Sequence, residues 1–120
     1  MIEERGHDLE ERTKKFALRI IKLFVALPKL TEAQVIGKQL LRSGTSVGAQ
    51  YREACRARSD AEFISKIESG LQELEETMYW LELLAEAEII KAEKLKNLHE
   101  EAEELTAILV TSVKTVKSKK

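Results

Sequence analysis

The chain has little of several residue types on which many folds depend. Its 120 residues include one proline, five glycines and six aromatic residues. So few turn-forming residues leave little room for a loop-rich fold, because glycine and proline mark many tight turns. So few aromatic rings mean that the core must be mostly aliphatic.

Cysteine and long apolar runs are also scarce. Cys55 is the single cysteine, so no internal disulfide can form and a reducing compartment is expected. No apolar run approaches the ~20 residues that a transmembrane helix needs, and the charged N-terminal residues lack the apolar region of a signal peptide. We therefore expect a cytoplasmic protein with no membrane as a partner.

Charge is nearly balanced overall but unevenly distributed. The formal net charge of −1 argues against a globally basic nucleic-acid coat and leaves room for a local basic patch. Residues 29–58 contain six basic and two acidic residues, whereas residues 59–90 contain one basic and nine acidic residues. Two such segments would favour antiparallel pairing, although each exposed ion pair contributes only ~0–1 kcal/mol.

Apolar residues recur at spacings of three and four along most of the chain, which is the helical period. A hydrophobic fraction of 43% supports a packed core, and the length fits a single domain over residues 1–120. We predict an all-α fold, an up-down-up-down antiparallel four-helix bundle. The predicted helices span residues 8–27, 32–57, 60–88 and 92–117.

Local signals define most of the predicted helix ends. Pro28 ends the first helix, because proline removes a donor and disfavours a helical residue before it. Thr31 with Gln34, and Ser59 with Glu62, have the spacing of capping boxes that begin the second and third helices. No cap can be identified before the fourth helix.

One side of the second helix carries a candidate nucleic-acid-binding face. On a helical wheel its cations, which are Lys38, Arg42, Arg52 and Arg56, fall within about 40° of one line. Arginines can hold phosphates through bidentate contacts. The alternatives are a solvated face, or cations paired with Glu53 and the third helix. No aromatic residue interleaves with the cations, so stacking on single strands is poorly supported.

Small residues form a second stripe on the same helix. Gly37, Gly44 and Gly48 lie on one side, together with Cys55. Each glycine costs a helix about 1 kcal/mol relative to alanine, so three of them need a reason. We expect the close approach of another backbone, from within the subunit or from a neighbour. The alternative is a locally bent or broken helix over residues 43–48.

Apolar residues also lie outside the predicted core faces of the first and third helices. A core helix needs one apolar stripe, and larger exposed patches normally mark contact sites. The sequence therefore predicts self-association, unless a wide core absorbs these residues. The candidate interface residues are Leu18, Ile21, Val25, Gly37, Gly44, Gly48, Trp80, Leu83 and Leu84.

Signals for catalysis, metal or cofactor binding are weak. His7 and His99 are the only histidines, and neither belongs to the Glu-x-x-His motif of ferritin-like di-iron bundles. His99 and Glu103 have i, i+4 spacing, but a solvated pair is the simpler interpretation. Cys55 fits a packing role better than that of a nucleophile. We expect no catalytic residue, metal or cofactor, and a protein that is not an enzyme.

Two stretches carry a resemblance to a known family. The sequence RSGTSVGAQYREA, which begins at Arg42, resembles a motif R-S-x-T-S-V-G-A-x-x-x-E-A. The sequence ETMYWLELL, which begins at Glu76, matches a motif E-x-x-Y-W-L-E-L-L. Over roughly residues 9–115 the chain resembles the four-helix-bundle family encoded in intervening sequences of bacterial 23S ribosomal RNA genes.

The resemblance implies a compact antiparallel bundle that assembles into a ring-like homopentamer. The accessory proteins of diversity-generating retroelements are similar in fold, and they engage nucleic acid and a reverse transcriptase through a basic surface. The expected function is therefore a homo-oligomeric scaffold associated with structured RNA or a ribonucleoprotein. The alternative is an accessory module that binds a protein, for example a reverse transcriptase, without contacting nucleic acid.

Overall fold

Four helices, joined by short connections, make up the described part of the chain. A computed structural model describes the backbone of residues 2–119 and the side chains of residues 8–119. The helices are α1 (Ile2–Ala26), α2 (Thr31–Cys55), α3 (Asp60–Glu86) and α4 (Ala92–Ser118). The all-α prediction is confirmed, and no strand occurs in residues 2–119. The observed ends agree with the predicted ones to within two residues, except that α1 begins six residues earlier.

Neighbouring helices pack antiparallel around a central core. The bundle measures 49 × 21 × 21 Å. α2 packs against both α1 and α3, and α3 packs against α4. α1 and α3 therefore lie at diagonal corners of the bundle. The core is mostly aliphatic, as expected. The largest side chains with less than 2% exposure are Phe16, Ile20, Leu40, Ile67, Leu74, Leu81, Leu84, Leu105 and Leu109.

The beginnings of α2 and α3 differ in how they are capped. Ser59 caps α3 as predicted, because its hydroxyl accepts a hydrogen bond from the Glu62 amide at 3.0 Å. The Thr31 capping box is wrong: Leu30 occupies the N-cap position, and its side chain makes no capping bond. Gln34 instead donates from Nε2 to the Pro28 carbonyl at 3.0 Å, which ties α2 to the loop before it.

The end of α3, for which the sequence offers no cap, has the hydrogen bonds of a Schellman motif. The amide of Ile89 donates to the Leu84 carbonyl, and the amide of Glu88 donates to the Ala85 carbonyl, both at 3.0 Å. Glu88 takes the left-handed position with a φ of 60°. Glycine is the usual residue there, because a side chain in this region is unfavourable by about 1–2 kcal/mol.

One hydroxyl pair lies inside the contact between α2 and α3. Thr77 Oγ1 donates to Ser43 Oγ at 2.8 Å, and both residues are fully buried. Each hydroxyl also lies near a carbonyl oxygen of its own helix: Thr77 Oγ1 is 2.7 Å from that of Glu73, and Ser43 Oγ is 3.4 Å from that of Leu40. The contact between the two hydroxyls places Thr77 of α3 level with Ser43 of α2.

No helix in residues 2–119 combines the length and the apolar character needed to cross a membrane.

The different surroundings of Gly44 on α2 and Gly70 on α3 predict opposite effects for two Gly→Ala substitutions. At Gly44 a Cβ would lie 2.7 Å from Ile20 Cγ1 and 2.9 Å from Ile20 Cγ2. Because isoleucine is stiff at χ1, Gly44→Ala should lower the free energy of unfolding by about 1–3 kcal/mol. At Gly70 the nearest atom would be 3.7 Å away, so Gly70→Ala should be neutral or stabilise by up to about 1 kcal/mol. Urea denaturation of both variants checks this, and a stabilising Gly44→Ala would contradict the packing.

The left-handed residue predicts a stabilising change at the end of α3. Glu88→Gly removes an unfavourable side chain from a φ of 60° and should raise the free energy of unfolding by about 1 kcal/mol. Glu86→Gly, two residues earlier in the last helical turn, should lower it by about 0.5–1 kcal/mol. Thermal melts of the two variants should shift in opposite directions, and equal shifts would contradict the Schellman geometry.

Candidate nucleic-acid and subunit interfaces

The predicted basic face of α2 divides into one paired cation and three cations without a carboxylate partner. Lys38, Arg42, Arg52 and Arg56 are all exposed. Arg42 Nη1 lies 3.2 Å from Glu73 Oε1 on α3, and its Nη2 contacts Glu76. Among the side chains that the structure describes, no carboxylate lies within 4 Å of Lys38, Arg52 or Arg56.

Pairing with α3 was one of the alternatives for this face, and the structure shows it for Arg42 alone. Glu53 pairs instead with Lys66 of α3 at 2.6 Å, and that hydrogen bond raises the pKa of Lys66. Within the described side chains, Arg52 in the last turn of α2 and Arg56 at its C-cap therefore have no carboxylate partner. Further basic residues follow the helix end at Arg58 and lie at the end of α4, where Lys119 faces the same region.

The glycine stripe faces α1 of the same chain. A Cβ at Gly37 would lie 2.5 Å from Leu27 Cδ1, and one at Gly48 would lie 3.1 Å from Thr13 Oγ1. Gly44 meets Ile20 in the same way, and α2 continues as a helix through residues 43–48. The close approach that the stripe predicted therefore occurs inside the subunit. Assigning Gly37 and Gly44 to the subunit interface needs correction, because α1 buries them, and the half-buried Gly48 also faces α1.

Leu84 also needs correction as an interface residue. It has no exposed surface and belongs to the core cluster, because α3 is rotated so that this position faces inward. Trp80 and Leu83 are half-buried, and Trp80 packs against the core cluster. Its ring lies 5.1 Å from that of Tyr79, in an edge-to-face arrangement. The wide-core alternative therefore holds for part of the α3 stripe.

The α1 stripe remains open to solvent. Leu18 is 56% exposed, Ile21 41% and Val25 69%, which is unusual for aliphatic side chains in a single line. Leu30 and Val35 are also exposed and were not among the predicted interface residues. The outward wheel position of Val35 on α2 was the available signal.

His99 of α4 lies close to one carboxylate on α3 and one on its own helix. Its Nε2 lies 3.0 Å from Glu82 Oε2 on α3, and its Nδ1 lies 3.8 Å from Glu103 Oε1. A cavity of about 400 Å³ between α3 and α4 borders this group. Within the described residues, no cluster of three or more histidine, cysteine or acidic side chains has metal-binding geometry. His7 lies outside the residues whose side chains are described.

Cys55 lies at the exposed end of α2 beside the buried Tyr51. Burial, followed by the interaction with Cys55, raises the pKa of Tyr51. Burial likewise raises the pKa of the Cys55 thiol, so at neutral pH the thiolate fraction falls. The exposure of Cys55 does not fit the predicted packing role, and its raised pKa does not favour a nucleophile.

A groove of about 1170 Å³ opens between α1 and α4 toward the end of the bundle where α2 stops. Leu9, Phe63 and Ile108 contribute apolar surface to it. Arg12 stands at its wall, with Nε 2.7 Å from Glu101 Oε2 and Nη2 2.6 Å from Glu104 Oε1. These hydrogen bonds raise the pKa of Arg12 and tie α1 to α4.

These features define a four-helix bundle with a basic face, of which Arg42 is paired with α3, and an exposed apolar stripe. The family model of the 23S rRNA-intervening sequence protein matches residues 7–111. The chain belongs to this family, as the two sequence motifs indicated.

A solved structure supports the same assignment. The chain is 38% identical to a protein of unknown function from the S23 ribosomal protein family of Bacteroides thetaiotaomicron VPI-5482. The two structures superpose with a TM-score of 0.85, over 91% of this chain and 97% of the other. A comparison with curated proteins found no match.

The Arg12 bridge predicts how α1 is held against α4. Arg12→Gln removes a bidentate contact to Glu101, which is only 18% exposed, and should lower the free energy of unfolding by about 1–2 kcal/mol. Lys117→Gln is the matched control, because its exposed pair with Glu68 spans 3.9 Å and contributes little. Urea denaturation measures both, and hydrogen exchange should accelerate in the first half of α1 for Arg12→Gln alone. Equal effects of the two substitutions would contradict the bridge.

Proposed function

We propose that the protein is a non-enzymatic, homo-oligomeric scaffold that associates with structured RNA or a ribonucleoprotein in the bacterial cytoplasm. The observation that carries this proposal is the exposed α2 face, where no carboxylate of residues 8–119 lies within 4 Å of Lys38, Arg52 or Arg56. Unpaired cations can replace the counterions of a phosphate backbone without first breaking an internal ion pair.

The spacing along α2 suits an extended polyanion. Arg52 and Arg56 are one helical turn apart, about 6 Å along the axis, and Lys38 lies about 21 Å from Arg52 at 1.5 Å per residue. Such contacts would go to the phosphates and not to the bases, as expected for structured RNA that is recognised by its shape. Arg42 lies between them but already holds Glu73 and Glu76, so its contribution should be smaller.

Family membership supports an RNA context. The family takes its name from intervening sequences of 23S rRNA, and the solved relative is assigned to the S23 ribosomal protein family. Self-association would add to the effect. Each chain has a formal net charge of −1, so a single patch is weak, but several copies present several patches to one RNA.

The basic face predicts a salt-dependent affinity for structured RNA. Arg52→Glu combined with Arg56→Glu should weaken binding at low salt by at least tenfold. It should also flatten the slope of log K against log salt by about one unit for each lost phosphate contact. Gel shift or filter binding with a folded ribosomal RNA fragment measures both quantities.

Arg42→Gln is the matched control for this experiment. It lies on the same face, but its side chain is engaged by α3, so the affinity should change much less. Absence of binding by the wild-type protein at low salt would overturn the RNA proposal. If Arg42→Gln and the double variant lost the same amount of RNA affinity, pairing with α3 would not determine which cations bind RNA.

A protein-binding module is the second candidate, favoured by the groove between α1 and α4. Its apolar surface and its volume of about 1170 Å³ suit the side chains of a partner helix. The two candidates separate on nuclease treatment. A complex held through the groove would survive digestion of RNA and would be insensitive to substitutions at Arg52 and Arg56.

A further inference from the structure

The outer side of α1 combines exposed aliphatic side chains with positive charge. Leu18, Ile21 and Val25 are all exposed. Residues 13–30 contain four lysines, one arginine and no acidic residue. The exposed cations beside the aliphatic side chains are Lys14, Lys15, Arg19 and Lys22. We call this surface the α1 face.

The cations of the α1 face have no role in holding the subunit together. Among the side chains of residues 8–119, no carboxylate lies within 4 Å of any of them. On the inner side of the helix, Thr13, Phe16 and Ile20 are buried against the rest of the bundle. α1 is therefore amphipathic, with an inner side that is already filled and an outer side that is apolar and basic.

The charge of the subunit is polarised in the same direction. α3 lies at the corner of the bundle diagonal to α1, and residues 59–90 contain one basic and nine acidic residues. The acidic side of the bundle therefore points away from the α1 face. A negatively charged surface would attract the α1 face and repel the opposite corner, so it would orient the subunit with α1 toward it.

The shape and composition of the α1 face favour a lipid surface over a protein. The face is the convex ridge of one helix, and Leu18, Ile21 and Val25 line neither of the cavities described above. The dominant residues of protein interfaces usually fill pockets, and such interfaces are depleted of lysine, which supplies three of the four cations here. Helices that lie at a membrane surface instead combine aliphatic side chains with lysine and arginine.

We propose that the α1 face docks on an anionic lipid surface. The three aliphatic side chains would enter the boundary between headgroups and acyl chains, and the cations would stay at the lipid phosphates. Such a contact needs no spanning helix, whereas the expectation of no membrane partner rested on the lack of one. The contact lies on α1, outside the α2 cations of the proposed RNA contact, so it goes beyond the proposed function.

Vesicle sedimentation tests the charged and the apolar parts of this contact. The protein should bind vesicles that contain phosphatidylglycerol but not vesicles of phosphatidylcholine alone, and about 1 M salt should abolish binding because the Debye length falls to about 3 Å. Lys15→Gln with Lys22→Gln should weaken binding about 25-fold, since each lysine near an anionic surface contributes roughly fivefold. Leu18→Gln with Val25→Gln, which leaves the net charge unchanged, should weaken it at least about tenfold.

Lys96→Gln with Lys114→Gln is the matched control, because it removes the same charge from exposed positions on α4. This variant should bind anionic vesicles nearly as well as the wild type. A loss as large as that of the α1 lysine variant would show that net charge alone drives binding and would overturn the inference. Equal binding to both kinds of vesicle would also overturn it. Absence of binding to anionic vesicles at low salt would leave an acidic protein or a second copy as the occupant.

A fluorophore on α1 reports which side of the bundle meets the lipid. Cys55, the single cysteine, is exposed and can be replaced by serine. In that background, an environment-sensitive fluorophore on Ile21→Cys should shift its emission to the blue on anionic vesicles. The same fluorophore on Lys114→Cys should not shift, and equal shifts would contradict docking through α1.

Ultracentrifugation and RNA gel shifts separate this contact from the proposed function. Leu18→Gln with Val25→Gln alters exposed side chains, so it should keep the helical circular dichroism, oligomeric state and RNA affinity of the wild type. A changed oligomeric state would identify a second copy as the occupant and overturn the inference. If the wild type binds anionic vesicles through α1 but binds no RNA, the RNA proposal fails and lipid docking stands.

Discussion

The close approach of α1 to α2 is the constraint on which the rest of this structure depends. Gly44 lets the β-branched side chain of Ile20 reach the backbone of α2, at a distance that a Cβ atom would forbid. The adjacent Ser43 faces the other way and receives the hydrogen bond from Thr77. Two neighbouring residues of α2 thus set the heights of α1 and α3, which are not adjacent helices in the bundle.

This arrangement makes α2 the central helix of the subunit and leaves α4 more loosely placed. α4 packs along α3, and the Arg12 bridge to Glu101 and Glu104 ties α4 to α1, from which its backbone lies farther away. Between the bridge and the end of the bundle where α4 ends, the two helices separate and the groove opens. An ion pair in partial contact with solvent stabilises less than an interdigitated apolar seam. The bundle is therefore weakest at the seam between its first and last helices.

Much of the fold follows from the sequence, because helical periodicity is a strong signal over segments of this length. Pro28 and Ser59 act locally, so their effects on helix ends can be predicted. The end of α3 cannot, because its left-handed position is occupied by Glu88 rather than by glycine. The Thr31 box fails because the geometry of the loop brings Gln34 to the Pro28 carbonyl, and the sequence contains nothing that fixes that distance.

The candidate surfaces are harder to predict, since a helical wheel gives directions but not neighbours. Gly44 and Leu84 both lie on faces that must pack against something, and the wheel does not say whether that is the same chain or a second copy. Their burial inside the subunit resolves this. Arg42 and Arg52 share one side of α2, yet only Arg42 comes within reach of Glu73, because α3 passes beside that turn. Long-range geometry decides which cation is free.

The ion pairs inside the subunit and the proposed RNA contact draw on different cations, so the two are compatible. Arg12, Arg42 and Lys66 hold the subunit together through carboxylates of neighbouring helices. The proposed RNA contact uses Lys38, Arg52 and Arg56, so binding a phosphate backbone would not require these pairs to break. Self-association would then multiply the positive field that a single chain, with its net charge of −1, cannot supply.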